Sequence, residues 1–208
     1  MSEAGGRIDG FDMPEDRSEE ESGRKLIVGL GNPGGRYADS RHNLGFEVVQ
    51  AFAQRQNLSV SRLECNAVVG TSGDLFLALP QTFMNRSGYS ARCLVEKHDL
   101  SPENVLVVYD EVQLPLGRVR LRPGGSPGGH RGMESVIQAL RTDRVPRLRL
   151  GVGRGESTPS GDDLVEFVLE PFNSEEKQEV EEMIGRAVDA CELWLAGDIQ
   201  TAMNQVNS

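Results

Sequence analysis

The apolar run Leu26-Ile27-Val28, broken by Gly29-Leu30-Gly31-Asn32-Pro33-Gly34-Gly35, constrains this chain more than any other segment. A strand covered on both faces shows a continuous apolar stretch rather than an alternating one, and this stretch ends at glycines as a buried strand would. Asn32, and His42 further on, are therefore expected on loops at the strand's carboxyl end, where open α/β sheets bind their ligands. Gly29, Gly31 and Gly34 also spell the G-x-G-x-x-G spacing of dinucleotide-binding turns. That fingerprint needs a helix to open within the glycines and hold a pyrophosphate, whereas Pro33, Gly34 and Gly35 prolong an irregular turn. Nicotinamide and flavin binding are set aside on that ground. The next helical pattern begins near His42, with Val48, Val49, Phe52 and Ala53 on one face and Asp39 or Ser40 as cap.

A chain of 208 residues supports one α/β domain with a substantial core. Strand-like runs recur at 67–69, 75–79, 105–109, 119–121 and 148–152, with helical patterns between several of them. This alternation predicts an α/β fold: a single domain with a mixed, mostly parallel, twisted sheet and helices on both faces. From Val180 to Leu195, the residues Val180, Met183, Ile184, Ala187, Val188, Cys191, Trp194 and Leu195 recur at spacings of three and four, which predicts a helix docked on the core. Residues 1–23 are acidic and aperiodic, which predicts a disordered tail ahead of a domain spanning 24–208.

The net charge of −10 is uneven along the chain. Both ends are acidic, but between Arg118 and Arg154 nine arginines stand against only Glu134 and Asp143. A phosphate-rich partner fits that stretch. Cys65, Cys93 and Cys191 are odd in number and widely spaced, so neither a disulfide framework nor a zinc ribbon is expected, and a reducing cytosol fits best. No apolar run is long enough to span a bilayer, and the amino terminus is acidic where a signal peptide would be basic. A protein of the cytoplasm with no membrane partner is expected.

Four blocks place polar residues where loops follow strands or start helices: Asn32 with His42 and Asn43, Thr82-Phe83-Met84-Asn85, Asp110-Glu111, and Gly128-Gly129-His130-Arg131-Gly132. Asp110 closes the apolar run 105–109 and so belongs at a strand's carboxyl edge beside Asn32. There it can fix the tautomer of His42 and let the other ring nitrogen take a proton from water. A loop cap is the plainer role for Asp110. Asn32 and Asn85 offer neutral amides that can hold an oxygen as negative charge develops on it, or else form turns and caps. No serine or cysteine sits in a nucleophile elbow, and His42, His98 and His130 lack metal-ligand spacing. Water is the expected nucleophile, with no cofactor and no metal.

In this order and spacing, the blocks closely resemble bacterial-type peptidyl-tRNA hydrolases. The resemblance runs from about Lys25 to the carboxyl end and includes Gly-Leu-Gly-Asn-Pro-Gly, Tyr37, Arg41-His42-Asn43, Phe83-Met84-Asn85, Asp110-Glu111, Gly129-His130 and Arg147-Leu148-Arg149-Leu150-Gly151-Val152-Gly153. It implies a monomeric enzyme that cleaves the ester joining a peptide to the terminal ribose of tRNA. By position, it implies His42 as general base and Asp110 as its orienting carboxylate. Asn32, Tyr37, Met84, Asn85 and His130 would be substrate-binding, and Arg122 and Arg149 would hold tRNA phosphate. Two residues depart from the pattern. Arg131 stands where the family commonly has the Asn of Gly-His-Asn-Gly and is read as a tRNA contact, and Gln113 replaces a usual acid. The alternative reading is a non-catalytic RNA-binding relative of the same fold. A metal-dependent or thiol esterase is a third.

Overall fold

Lys25–Gly29 forms strand β1, and its alternate residues serve two separate cores: Ile27 packs into one, Leu26 and Val28 into the other. The computed structural model describes residues 23–159 and 161–208, so the expected tail lies, apart from Gly23, outside the described residues. Beside β1 stand β2 (Arg62–Glu64), β3 (Ala67–Ser72), β4 (Leu75–Pro80), β5 (Val105–Pro115), β6 (Val119–Arg122) and β7 (Arg147–Gly153). They form one seven-stranded sheet in the order β2-β3-β4-β1-β5-β7-β6. The central strands β4, β1, β5 and β7 run parallel, while β2, β3 and β6 add antiparallel edges. The sheet is mixed, as expected, with its parallel part in the middle.

Helices cover both faces. The helices α1 (Leu44–Arg55), α4 (Asp162–Leu169), α5 (Lys177–Ala196) and α6 (Ile199–Val206) share one core with Ile27, Leu106 and Leu148. The helices α2 (Ser87–Lys97) and α3 (Arg131–Leu140) share the other with Leu26, Val107 and Val145. Full burial of each such Leu, Ile or Val contributes about 1.5–3 kcal/mol. The periodic stripe expected in the last third of the chain is the buried face of α5, with Val180, Met183, Ala187, Val188, Cys191 and Trp194 inside. Burial pushes the Cys191 thiol up to about 12, which suits a packing role.

The chain leaves β1 toward β4 on one side and returns to β5 on the other. The carboxyl end of β1 is therefore the point where strand order reverses, and a crevice opens there. The glycines that mimic a dinucleotide motif have a packing role: a Cβ on Gly29 would overlap the Gly45 carbonyl, so this pair lets α1 lie directly on β1. The chain after Gly31 makes only a short 3-10 turn, Gly35–Tyr37, and no helix opens among the glycines.

Two local expectations are corrected. Neither Asp39 nor Ser40 caps α1: the helix starts at Leu44 behind a 3-10 turn, Arg41–Asn43, and the Ser40 hydroxyl donates to the Tyr37 carbonyl (2.8 Å). Cys65 and Cys93 form a disulfide, with Cα atoms 5.6 Å apart. Spacing could not show it, because the pair meets only once the turn after β2 packs against α2. The cysteine-based argument for a reducing compartment falls with it.

Candidate active site

Asn32 continues β1 into the crevice and is locked there by Asn43. The Asn32 N–H donates to Asn43 Oδ1 (2.8 Å), and Asn43 Nδ2 donates to the Asn32 carbonyl (3.0 Å). Asn32 Oδ1 in turn accepts the Met84 N–H at 2.8 Å. That bond fixes the amide orientation and leaves Nδ2 as the donor without a partner among the described residues. Asn43, the residue ahead of α1, gives up a capping bond for this lock. The residue was visible in the sequence as part of a block, but no role pointed to it.

His42 sits one residue earlier, on the same short turn, half-buried. Its Nδ1 lies 2.9 Å from Asp110 Oδ1 and 3.1 Å from Oδ2. Asp110 is buried in the middle of β5 rather than at its carboxyl end, because the strand pairs with β7 on through Glu111 to Pro115, and its pairing with β1 still brings Asp110 to His42. His130 Nε2 meets the same carboxylate at 3.1 Å, and His130 Nδ1 accepts the Met133 N–H at 3.1 Å. That amide makes His130 Nε2 the protonated nitrogen, so the ring is a fixed donor to Asp110. Both His130 nitrogens are thus occupied within the protein. His130 is a second support for the carboxylate, and its ring also lines the cleft.

The charges follow from these contacts. Burial works against an ionised Asp110, but the two imidazoles outweigh it and hold the carboxyl well below its usual range. For His42, burial and the Arg131 guanidinium pull the pKa down, while the charge and hydrogen bond of Asp110 push it up, and the net direction is up. With Nδ1–H donated to Asp110, Nε2 carries the free lone pair. It makes no hydrogen bond among the described residues.

A cleft of about 400 Å³ surrounds this nitrogen. It is lined by Asn32, Phe83, Met84 and Asn85 and by Leu164, Val165, Val168 and Leu169 of α4. Gly128, Gly129, His130 and Arg131 also line it. Gly132 lies behind them, where a Cβ would push against Met84 Sδ. Phe83 is 61% exposed, an apolar ring left open at the cleft. Tyr37, expected in the crevice, is not among the described lining residues; it lies on the preceding 3-10 turn beside Arg36. The α4 wall had no signal in the polar blocks, since its residues read simply as core.

His42, Asp110 and His130 offer ligand atoms all within 4.8 Å of one another, a spacing that a divalent cation can use. Here those atoms are paired by hydrogen bonds. A cation would have to displace the protons on His42 Nδ1 and His130 Nε2, and with them the orientation of His42.

The arginine-rich stretch divides by burial. Arg147 is 2% exposed and holds the carbonyls of Gly125 (2.7 Å), Ser126 (3.0 Å) and Asp143 (2.9 Å), so it shapes the loop before His130 and cannot serve phosphate. Arg149 directs Nε and Nη2 to Glu111 Oε2 (3.0 and 2.8 Å), which leaves only part of its fork. Glu111 is buried in the cleft floor, and its Oε1 accepts the Gln113 N–H (3.0 Å). Arg118, Arg122, Arg131 and Arg141 are exposed and enter no ion pair among the described residues.

An oriented imidazole facing a cleft walled by neutral amides, at the switch point of an α/β sheet, has the equipment of a hydrolase that uses water. The family profile described as "Peptidyl-tRNA hydrolase" matches residues 26–208. A peptidyl-tRNA hydrolase of Methylacidiphilum infernorum is 43% identical over 184 residues, covering 88% of this chain and 97% of that protein. One from Herpetosiphon aurantiacus is 46% identical over 187 residues, covering 88% and 89%. The crystal structure of peptidyl-tRNA hydrolase from Acinetobacter baumannii superposes with a TM-score of 0.82 at 33% identity, covering 90% of this chain and 96% of that one. This chain belongs to the peptidyl-tRNA hydrolase family.

Proposed function

We infer that the chain hydrolyses the ester between peptide and tRNA in peptidyl-tRNA, with His42 as general base. The observation that carries this reading is the division of labour on one ring: Nδ1 on Asp110 at 2.9 Å, and Nε2 open to the cleft. His42 Nε2 takes a proton from water as the water oxygen bonds to the ester carbonyl carbon. The resulting oxyanion accepts from the free Nδ2 of Asn32, with the Asn85 amide in the same cleft. The intermediate then expels the ribose oxygen, which recovers the proton from His42 to give a free tRNA hydroxyl, and the peptide acid releases the remaining water proton to solvent and leaves as a carboxylate. No charged side chain is needed at the oxyanion.

His130 and Met84 act as supports, one holding Asp110 and the other fixing Asn32 through its backbone. Arg122, Arg131 and the unpaired edge of Arg149 are the proposed tRNA contacts, with Tyr37 at the rim of the site. A guanidinium suits phosphate, and an A-form acceptor stem would be held mainly through its backbone. We further place the enzyme in the cytoplasm, where its substrate arises, as a monomer without cofactor. No helix of the described residues is long and apolar enough to cross a membrane.

Cleavage of peptidyl-tRNA by wild type and His42→Ala, with tRNA affinity measured in parallel, tests the reading. Turnover should fall about a hundredfold or more while affinity stays within about twofold. A non-catalytic RNA binder would show affinity with no cleavage even in wild type.

A further inference from the structure

Arg41, the residue before His42, is 1% exposed, and the chemistry above does not use it. A guanidinium stays charged, so its burial costs several kcal/mol unless its donors are met. Nε is buried without a hydrogen-bond partner among the described residues, and the other donors converge on one stretch of chain. Nη1 donates to the carbonyls of Phe167 (3.4 Å), Glu170 (3.2 Å) and Pro171 (2.9 Å), and Nη2 to Glu176 Oε2 (2.7 Å). The rings of Phe167 and Phe172 lie 4.5 and 5.0 Å from the guanidinium carbon. The Arg41 N–H adds a bond to the Glu170 carbonyl (3.1 Å), and Ser40 bridges to Pro171. Arg154 completes the arrangement, 5.0 Å from the Phe167 ring and 3.0 Å from Glu176 Oε1.

All of these ties fall near or beyond the carboxyl end of α4. The amino end of that helix begins at Gly161, with φ 63° and no side-chain cap. Between the two ends, Leu164, Val165, Val168 and Leu169 line the same cleft as His42, Met84 and Asn85. The short turn that presents His42 therefore also anchors, through its neighbour, the helix that supplies these apolar lining residues.

We propose that Arg41 and Glu176 form a positioning latch that fixes the α4 wall relative to His42 and so sets how firmly the substrate is held beside the base. The latch rests on the reading of this cleft as the ester-hydrolysis site. An apolar side chain between Phe167 and Phe172 could supply comparable stability, because exchanging a buried ion pair for hydrophobic packing is often neutral or better. What the planar fork adds is geometry: it gathers three carbonyls and one carboxylate into a fixed arrangement. Burial opposes a charged Glu176, yet the Asn173 N–H, Arg154 and Arg41 hold its carboxyl below the usual value, so the pair stays ionised.

The test uses the full chain with Glu176→Gln, which keeps hydrogen-bonding shape but removes charge, and Arg41→Lys, which keeps charge but removes the fork. Steady-state kinetics on peptidyl-tRNA should show KM raised by about threefold to tenfold in Glu176→Gln with kcat nearly constant, and a larger rise in Arg41→Lys. The pH midpoint should not move in Glu176→Gln, since Asp110 and Arg131 are untouched. Hydrogen exchange should accelerate across 162–169 and stay unchanged in α1. An unchanged KM, with kcat falling only in proportion to the folded fraction, would overturn the latch, as would unaltered exchange at α4. If Arg41→Lys fails to fold, Glu176→Gln carries both readouts. The exchange result does not depend on His42, so failure of the latch and failure of the catalytic reading remain distinguishable.

Discussion

His42 Nδ1 bridges both oxygens of Asp110, at 2.9 and 3.1 Å, which points the other face of the ring, Nε2, into the cleft. Asp110→Asn replaces an ionised acceptor with an amide whose NH2 cannot accept from Nδ1–H. The imidazole then loses its reason to keep the reactive tautomer, as well as the charge that raises its pKa. Turnover should fall about 10²- to 10⁴-fold with peptidyl-tRNA affinity retained, and the pH midpoint of any residual activity should move down. Single-turnover rates across pH check both.

Arg131 lies in the cleft and lowers the His42 pKa by charge alone. Arg131→Gln should therefore shift the alkaline-going limb of the rate profile to higher pH, the opposite direction to Asp110→Asn. A profile unmoved, or moved down, would remove Arg131 from the electrostatics of the site.

Arg122 is exposed and enters no ion pair among the described residues, whereas Arg149 shares its fork with buried Glu111. Arg122→Ala should weaken tRNA binding and flatten the dependence of log affinity on log salt by about one unit. Arg149→Ala should flatten it less and also cost stability, because Glu111 would be left buried without its partner. Binding titrations at several salt concentrations, alongside melting curves, separate the two effects.

The Cys65–Cys93 bond closes a separation of 28 residues between the β2–β3 turn and α2. By chain entropy such a loop contributes about 3–4 kcal/mol. Reduction should lower the melting temperature by on the order of 10 °C, with activity surviving at room temperature. Alkylation mapped by mass spectrometry should modify these two cysteines only after reduction, and buried Cys191 only after unfolding.

The parts of this protein legible in its sequence share a local origin. β1, the α5 stripe and the place of Asn32 just past β1 follow from apolar runs and their breaks, which are properties of short segments, whereas Asp110 falls inside β5 because pairing with β7 carries that strand on to Pro115. The meeting of His42 with Asp110 followed from the expected adjacency of their strands combined with the family resemblance. What stayed hidden depended on long-range packing. The disulfide needed the turn after β2 to meet α2, and the burial of Arg41 and Arg147 reversed the ordinary expectation that arginine faces water. The α4 wall was invisible because leucines and valines lining a cleft look the same as those filling a core. His130 was recognised, but its role turned on a backbone N–H, that of Met133, which side-chain patterns do not display.

The pH dependence of single-turnover peptidyl-tRNA cleavage in wild type and His42→Ala is the most direct measurement of all. Wild type should rise along one limb whose midpoint lies above the ordinary histidine value of 6.5, and His42→Ala should be about a hundredfold slower or more and flat across that range. A His42→Ala enzyme that kept the limb, or the rate, would show that another group deprotonates the water.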